Sequence, residues 1–293
     1  ITSQYLPGSN LYSALPFNAD LTWEKTTTLN AGLDFNFFKN DLISGSFDIY
    51  LNKTTDLLAQ VPTAPGQYLR DSFITNVGET EGKGFELDLN IKPISNDNST
   101  LEFYSNIAYN RVKITNLGDV ERIIAGGGLP TGTNVNTQVH ALGYQPGAFW
   151  LFQQLYDSNG NVIPGAFVDR NDDGQITNDD RYYIKRTPNW TFGFGFNYNY
   201  KNWDFGTSFR GQIGGQTYNS RILTSGWIDA SVPTNSNSLS NVLDFYAGEA
   251  NPDFINFNGN EKFSDYMIED ASFLRCENIV LGYRFNKLYK DSS

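Results

Sequence analysis

Asp169-Arg170-Asn171-Asp172-Asp173-Gly174-Gln175-Ile176-Thr177-Asn178-Asp179-Asp180 is the run in this chain whose residue types and spacing point to a specific chemistry. A twelve-residue calcium loop needs oxygen ligands at positions 1, 3 and 5 and a glycine at 6 for the sharp turn. It also needs a main-chain carbonyl at 7 and an acid at 12. Asp169, Asn171 and Asp173 occupy the first three positions, Gly174 the sixth, Gln175 offers the carbonyl and Asp180 closes the set. Ile176 would anchor the loop inward. The closing position is usually Glu, and the shorter arm of Asp180 makes bidentate closure harder. No amphipathic helix flanks the loop, which excludes a paired sensor hand. Two readings stay open: a calcium ion bracing a loop, and an acidic turn that needs no ion.

Other chemistry has little to stand on. The single histidine, His140, sits in a Gly/Thr/Asn-rich stretch, so a multi-histidine metal site is excluded, and no G-x-S-x-G elbow is present. One cysteine, Cys276, excludes a disulfide framework and a multi-thiolate site; it reads as a small lipid-facing or packed residue. Carboxylate pairs such as Glu79/Glu81 and Asp179/Asp180 come free with an acidic chain. Gly126-Gly127-Gly128 lacks the strand-to-helix context of a phosphate loop. A net charge of −11 with no basic stripe argues against nucleic acid. The expectation is a protein with no catalytic residues, not an enzyme.

The elements that must position these residues are long strands of period two. In Thr191–Gln212, Phe192, Phe194, Phe196, Tyr198 and Tyr200 share one parity, and Gly193, Gly195, Asn197 and Asn199 the other. After a two-residue turn at Lys201-Asn202, Trp203, Phe205 and Phe209 alternate with Asp204, Gly206, Ser208 and Arg210. The same pattern runs through Trp23–Phe38, turns at Lys39-Asn40-Asp41 and returns through Ile43, Phe47, Ile49 and Leu51. Phe85, Leu87, Leu89 and Ile91 alternate with Glu86, Asp88, Asn90 and Lys92; a turn at 95–98 leads to Leu101–Asn110; Ile279–Phe285 comes last. One face is aromatic and aliphatic, the other polar or glycine-lined, which is the signature of a transmembrane β-barrel. At 39% apolar residues and a mean hydropathy of −0.42, no stretch reaches the ~18 apolar residues of a spanning helix. A barrel escapes that test because half of each strand faces water.

Short turns at one end alternate with long connections at 59–80, 117–142, 156–189 and 214–270, rich in Gly, Asn, Thr, Ser and Pro and read as extracellular loops. The strand ending near Asn116 and the one starting at Trp190 run in opposite directions, so only an even number of spanning strands fits between them. Gly143–Tyr156 is read as an extracellular hairpin rather than half of a spanning pair. A large soluble β-sandwich also alternates. Strands of ~14–16 residues, against the usual ~5–6, and aromatics near strand ends (Trp23, Tyr109, Trp190, Tyr200, Trp203) count against it. The opening Ile1 and the polar end at Lys290–Ser293 read as cut ends of a longer polypeptide.

Several blocks, in order, resemble the SusC/RagA family of TonB-dependent outer-membrane transporters. They are Trp23–Asp34 running on to Phe47–Tyr50 and Lys53–Leu58, then Asn76–Leu87, then Gly143–Phe149, the calcium-like loop, and Ile268–Arg275 with Asn278–Tyr283. Cys276-Glu277 stands where that family usually continues Leu-Arg, a local departure. The resemblance implies an antiparallel barrel of about 22 strands. Residues 1–293 would be a partial barrel with long extracellular loops, without signal peptide, plug or closing strands. It further implies TonB-dependent uptake of oligosaccharides or peptides across the outer membrane of a Gram-negative cell of the Bacteroidota, driven by TonB-ExbB-ExbD. The implied partners are a SusD-like surface lipoprotein, outer-membrane lipid and a glycan or peptide. Two alternatives remain: a surface adhesin or glycan-binding barrel without active transport, and a soluble carbohydrate-binding β-protein. Loop aromatics Trp150, Tyr156, Tyr182, Tyr183 and Trp227 are candidates to stack on sugars or line a peptide groove, with ordinary loop packing an equal alternative.

Overall fold

The computed structural model describes residues 18–62, 72–125, 136–221 and 263–285. Seven long strands form one antiparallel sheet in which sheet order equals chain order. They are β1 (Lys25–Phe37), β2 (Ile43–Thr55), β3 (Glu79–Asn96), β4 (Ser99–Asn116), β5 (Trp190–Tyr200), β6 (Trp203–Ile213) and β7 (Phe273–Tyr283). The up-and-down order follows from the tight turns. Lys39–Asp41 joins β1 to β2, with Asp41 at φ 53°. Asn96 Oδ1 accepts the N–H groups of Asn98 and Ser99 at the β3–β4 turn, and Lys201, at φ 53°, turns β5 into β6. All three turns lie at the same end of the sheet.

Register places the alternating apolar residues of the strands on one face, with Val112, Phe273 and Val280 among the exceptions opposite. One row runs Ala31, Ile49, Phe85, Tyr109, Trp190, Ile213, and the next Leu33, Phe47, Leu87, Ile107, Phe192, Gly211, Leu274. The apolar band crosses these rows diagonally, from Leu29–Phe37 on β1 to Leu274–Tyr283 on β7. Strands tilted by ~35–45° to the bilayer normal require such a slant. This face is bare: Leu29 is 70% exposed, Leu33 64%, Ile279 68% and Leu281 67%. Water would not tolerate so large an apolar surface, and lipid would.

Among the described residues the buried clusters lie at the end away from the turns, none within the apolar band. Val61, Ile114, Leu117 and Ile123 form one; Val139, Ala141 and Trp150 a second; Phe149, Leu151 and Ile184 a third. This location rules out a sandwich, whose core would lie against the sheet. β3 and β4 make the clusters possible. A spanning strand needs ~9–11 residues, and these have 18 each, so both continue past the bilayer as a stem.

The segments 59–80, 117–142, 156–189 and 214–270 serve as the expected long connections, and their described residues include short strands of their own outside the spanning sheet. Leu58–Pro62 pairs with Ser72–Asn76, Gln154–Tyr156 with Val162–Phe167, and Gln216–Tyr218 with Ile268–Asp270. Arg122–Ala125, Gln138–Ala141, Ala148–Leu151 and Tyr182–Ile184 build a four-stranded sheet. These strands have three to six residues, too short for alternation to register. Gly143–Tyr156 belongs to this extramembrane assembly and not to the spanning sheet, and β4 pairs directly with β5, so no spanning strand intervenes.

Candidate functional site: the polar wall and its cap

The face opposite the apolar band is the candidate inner wall. A groove of about 680 Å³ near the stem is lined by Asn30, Asp48, Tyr50, Asn52, Glu86 and Asn110 among others. Glycines let large polar side chains lie flat on this wall. A Cβ at Gly84 would strike the Tyr109 carbonyl and come within 2.5 Å of the Tyr50 hydroxyl, and one at Gly195 would strike the Thr207 carbonyl and the Tyr104 hydroxyl. The Tyr104 hydroxyl donates to the Thr207 carbonyl at 3.3 Å. Further down, Asn90 Nδ2 donates to Glu102 Oε1 at 2.7 Å and Lys92 lies 3.6 Å from the same carboxylate.

Glu277 makes an ion pair with Arg210 and another, at 3.0 Å, with Arg275. Ser208 faces Asn278 while Phe209 faces Cys276, so Glu277 is the extra residue of a bulge. The Cys276-Glu277 departure therefore supplies the carboxylate between two arginines that would otherwise oppose each other. Cys276 is exposed, in the row of Phe35 and Leu89 on the apolar face.

The acidic loop is folded on itself by main-chain donors. Asp169 accepts the N–H of Gly174 at 2.7 Å and of Asp173 at 3.3 Å, and Asp173 accepts the N–H of Gln175 at 2.8 Å. Asn171 Nδ2 donates to Asp173 Oδ2 at 3.0 Å. Asp172 and Gly174 both take positive φ, 57° and 79°. Asp180 is fully buried, its two oxygens accepting the N–H of Arg170 at 2.8 Å and of Thr177 at 2.7 Å. It shares a reciprocal cap with Thr177. These main-chain bonds, Thr177's foremost, hold its carboxyl below the usual carboxylate range. Among the described residues no group of three or more His, Cys, Asp or Glu meets the geometry of a metal site. The oxygen set that calcium would use therefore includes the Asn171 amide and the Gln175 carbonyl, alongside Asp169, Asp173 and Asp180. It is all hard oxygen, which suits that ion.

The loop aromatics are mostly committed to the extramembrane assembly of short strands, which forms the cap of the wall. Trp150 is buried, with the Arg122 guanidinium 4.6 Å and the Arg181 guanidinium 4.7 Å from its ring. Arg181 also lies against Phe152 and Phe263, at 4.7 and 4.2 Å, and burial pushes its pKa down to about 10. The Tyr182 hydroxyl donates to Asp265 at 2.7 Å, and burial, reinforced by that carboxylate, raises its pKa. Tyr183 packs on Tyr144 with centroids 4.4 Å apart. Tyr156 stays half exposed, and Trp227 lies outside the described residues. His140 Nδ1 accepts the Gly147 N–H at 3.2 Å, and burial lowers its pKa.

Asp265 escaped the sequence reading. Besides Tyr182 it accepts the Gln154 N–H at 2.9 Å, while residues 263 and 265 bond the backbone of Phe152. An acid in an Asn- and Gly-rich stretch gives no local sign of partners 83 and 111 positions away.

Residues 2–290 match the family model described as TonB dependent receptor-like, beta-barrel. The chain is 38% identical over 296 residues to TonB-dependent receptor SusC of Bacteroides thetaiotaomicron, covering 98% of this chain and 29% of that protein. It is 34% identical over 228 residues to TonB-dependent receptor P26 of Formosa agariphila, covering 71% and 22%. The RagAB peptide transporter structure superposes with a TM-score of 0.67 at 26% identity, over 92% of this chain and 30% of that one. The chain thus spans less than a third of the length of these relatives.

Proposed function

Because the chain belongs to the β-barrel family of the TonB-dependent receptors, an outer-membrane family, we propose that it forms part of the wall and outer cap of an energised importer. The single observation carrying this reading is the two-faced sheet. Bare aliphatic and aromatic side chains form one face, and an Asp/Glu/Asn/Tyr-lined groove the other. The proposed cargo is an oligosaccharide or peptide, by kinship with SusC and with RagAB, a peptide transporter. The proposed partners are a SusD-like lipoprotein over the cap and the TonB-ExbB-ExbD complex, reached through parts of the receptor outside this segment. In cells carrying the full-length receptor, uptake of labelled oligosaccharides or peptides should stop when TonB is deleted. Retention of cargo at the surface, unchanged by TonB loss, would favour the adhesin instead.

Calcium at Asp169, Asn171, Asp173, Gln175 and Asp180 is the second part of the proposal. Its support is the all-oxygen donor set and a backbone already turned at Asp172 and Gly174. The ion would brace the cap and neutralise the acidic loop.

A further inference from the structure

On the outer surface of the wall, Phe85, Tyr109 and Trp190 form a contiguous aromatic cluster with centroids 5.9, 5.7 and 4.9 Å apart. They mark the outer edge of the apolar band on β3, β4 and β5, where rings of this kind sit at the level of lipid headgroups. One step outward on the same parity come Lys83 on β3 and Arg111 on β4, directly opposite each other in register. Like charges facing across a strand pair are destabilising. Yet neither residue enters an ion pair among the described residues, while the adjacent Lys53 and Lys113 are matched by Glu79 at 3.1 Å and Glu81 at 3.6 Å. A third cation, Lys185, joins them from the segment leading into β5. With Arg111 and Lys113 it lines a hollow of about 190 Å³ beneath Tyr144. Burial, and next the Arg111 charge, lower its pKa.

In a chain of net charge −11, three cations grouped around Arg111, none in an ion pair among the described residues, call for an anion. The position selects which one. Lys83 and Arg111 stand outside the wall, on the parity of the lipid-facing residues, and Lys185 shares a hollow with Arg111, so cargo crossing the lumen does not meet them. The tight turns at the opposite end of the strands place this end at the cell surface. There the neighbouring molecules are the phosphorylated glycolipids of the outer leaflet. We propose that Lys83, Arg111 and Lys185 hold a phosphate group of such a glycolipid, with Phe85, Tyr109 and Trp190 packed beneath its headgroup. Guanidinium and ammonium groups suit phosphate oxygens, and basic pockets at the membrane surface are known to take lipid phosphates. Lipid held there would fix the receptor's depth and brace the foot of the cap. The inference depends on the orientation of the barrel and not on the cargo, so failure of the uptake experiment leaves it standing.

The test uses the full-length receptor purified in mild detergent, with bis-phosphorylated lipid A as the probe and native mass spectrometry as the readout. The wild-type protein should hold lipid A at least about tenfold more tightly than the same lipid after phosphatase treatment. The triple variant Lys83→Gln/Arg111→Gln/Lys185→Gln should lose that preference, and the Lys53→Gln variant, at a cation matched by Glu79 and outside the hollow, should keep it. Equal retention of phosphorylated and dephosphorylated lipid by wild type overturns the proposal without any variant needing to fold. Inorganic phosphate displacing lipid A at equal concentration would also overturn it, by revealing a free-anion site.

Discussion

At the scale of single residues, Asp180 and His140 both hold the cap through main-chain donors, and each makes a distinct prediction. Asp180→Ala removes a buried acceptor of two N–H groups. Hydrogen exchange should accelerate across 169–180 and leave the strands β1–β7 unchanged; protection lost in the sheet as well would mean the loop is integral to the wall. Asp169→Ala with Asp173→Ala should abolish calcium binding, read by isothermal titration on the full-length receptor. Unaltered binding would remove the loop from the calcium account. His140 is neutral where it accepts the Gly147 N–H, and burial lowers its pKa from 6.5. Below 6.5 the unfolded segment takes up the proton before the folded one does. Its stabilising contribution is therefore complete above pH 6.5 and lost as pH falls toward the lowered folded value. Exchange in 138–148 should rise over that window in wild type and stay flat in His140→Gln.

At the scale of elements, the strands were legible because period two survives any loop context. Phe85/Leu87/Leu89/Ile91 against Glu86/Asp88/Asn90 states the two faces of β3 outright. What the sequence hid was the cap. Its strands are short, and partners such as Phe152 and Ser264 lie far apart in the chain. Of the two readings open for Trp150, cargo contact and loop packing, the structure favours packing: two arginines that no local pattern announces clasp its ring. The length of the stem was legible as well, since the strand read as ending near Asn116 does end there. Two substitutions test the faces energetically. Leu87→Arg should cost ~2–4 kcal/mol near the bilayer midplane while Asp88→Asn is nearly silent, measured by denaturant unfolding of the full-length barrel in lipid. Gly195→Ala sets a methyl against the Thr207 carbonyl and the Tyr104 hydroxyl, and overpacking of that kind costs ~1–3 kcal/mol. A stability unchanged by Gly195→Ala would mean Tyr104 does not lie flat on the wall.

At the scale of the whole molecule, β1 and β7 are the two edges of a seven-stranded sheet among the described residues. Unpaired backbone groups in hydrocarbon cost several kcal/mol each, and single-chain bacterial barrels use an even number of strands, eight or more. Residues 1–293 expressed alone should therefore aggregate in detergent rather than form a conducting pore, and planar-bilayer recording would detect the contrary. The central claim is that the Phe85 face meets lipid and the Glu86 face meets water. Its most direct measurement is cysteine accessibility in the full-length receptor in intact outer membranes, with exposed Cys276 first replaced by Ser. Single cysteines at 86, 88 and 90 should react rapidly with a water-soluble thiol reagent, and those at 85, 87 and 89 at least about tenfold more slowly. Faster labelling at 85, 87 and 89 would contradict the orientation of the wall, and with it the transport reading.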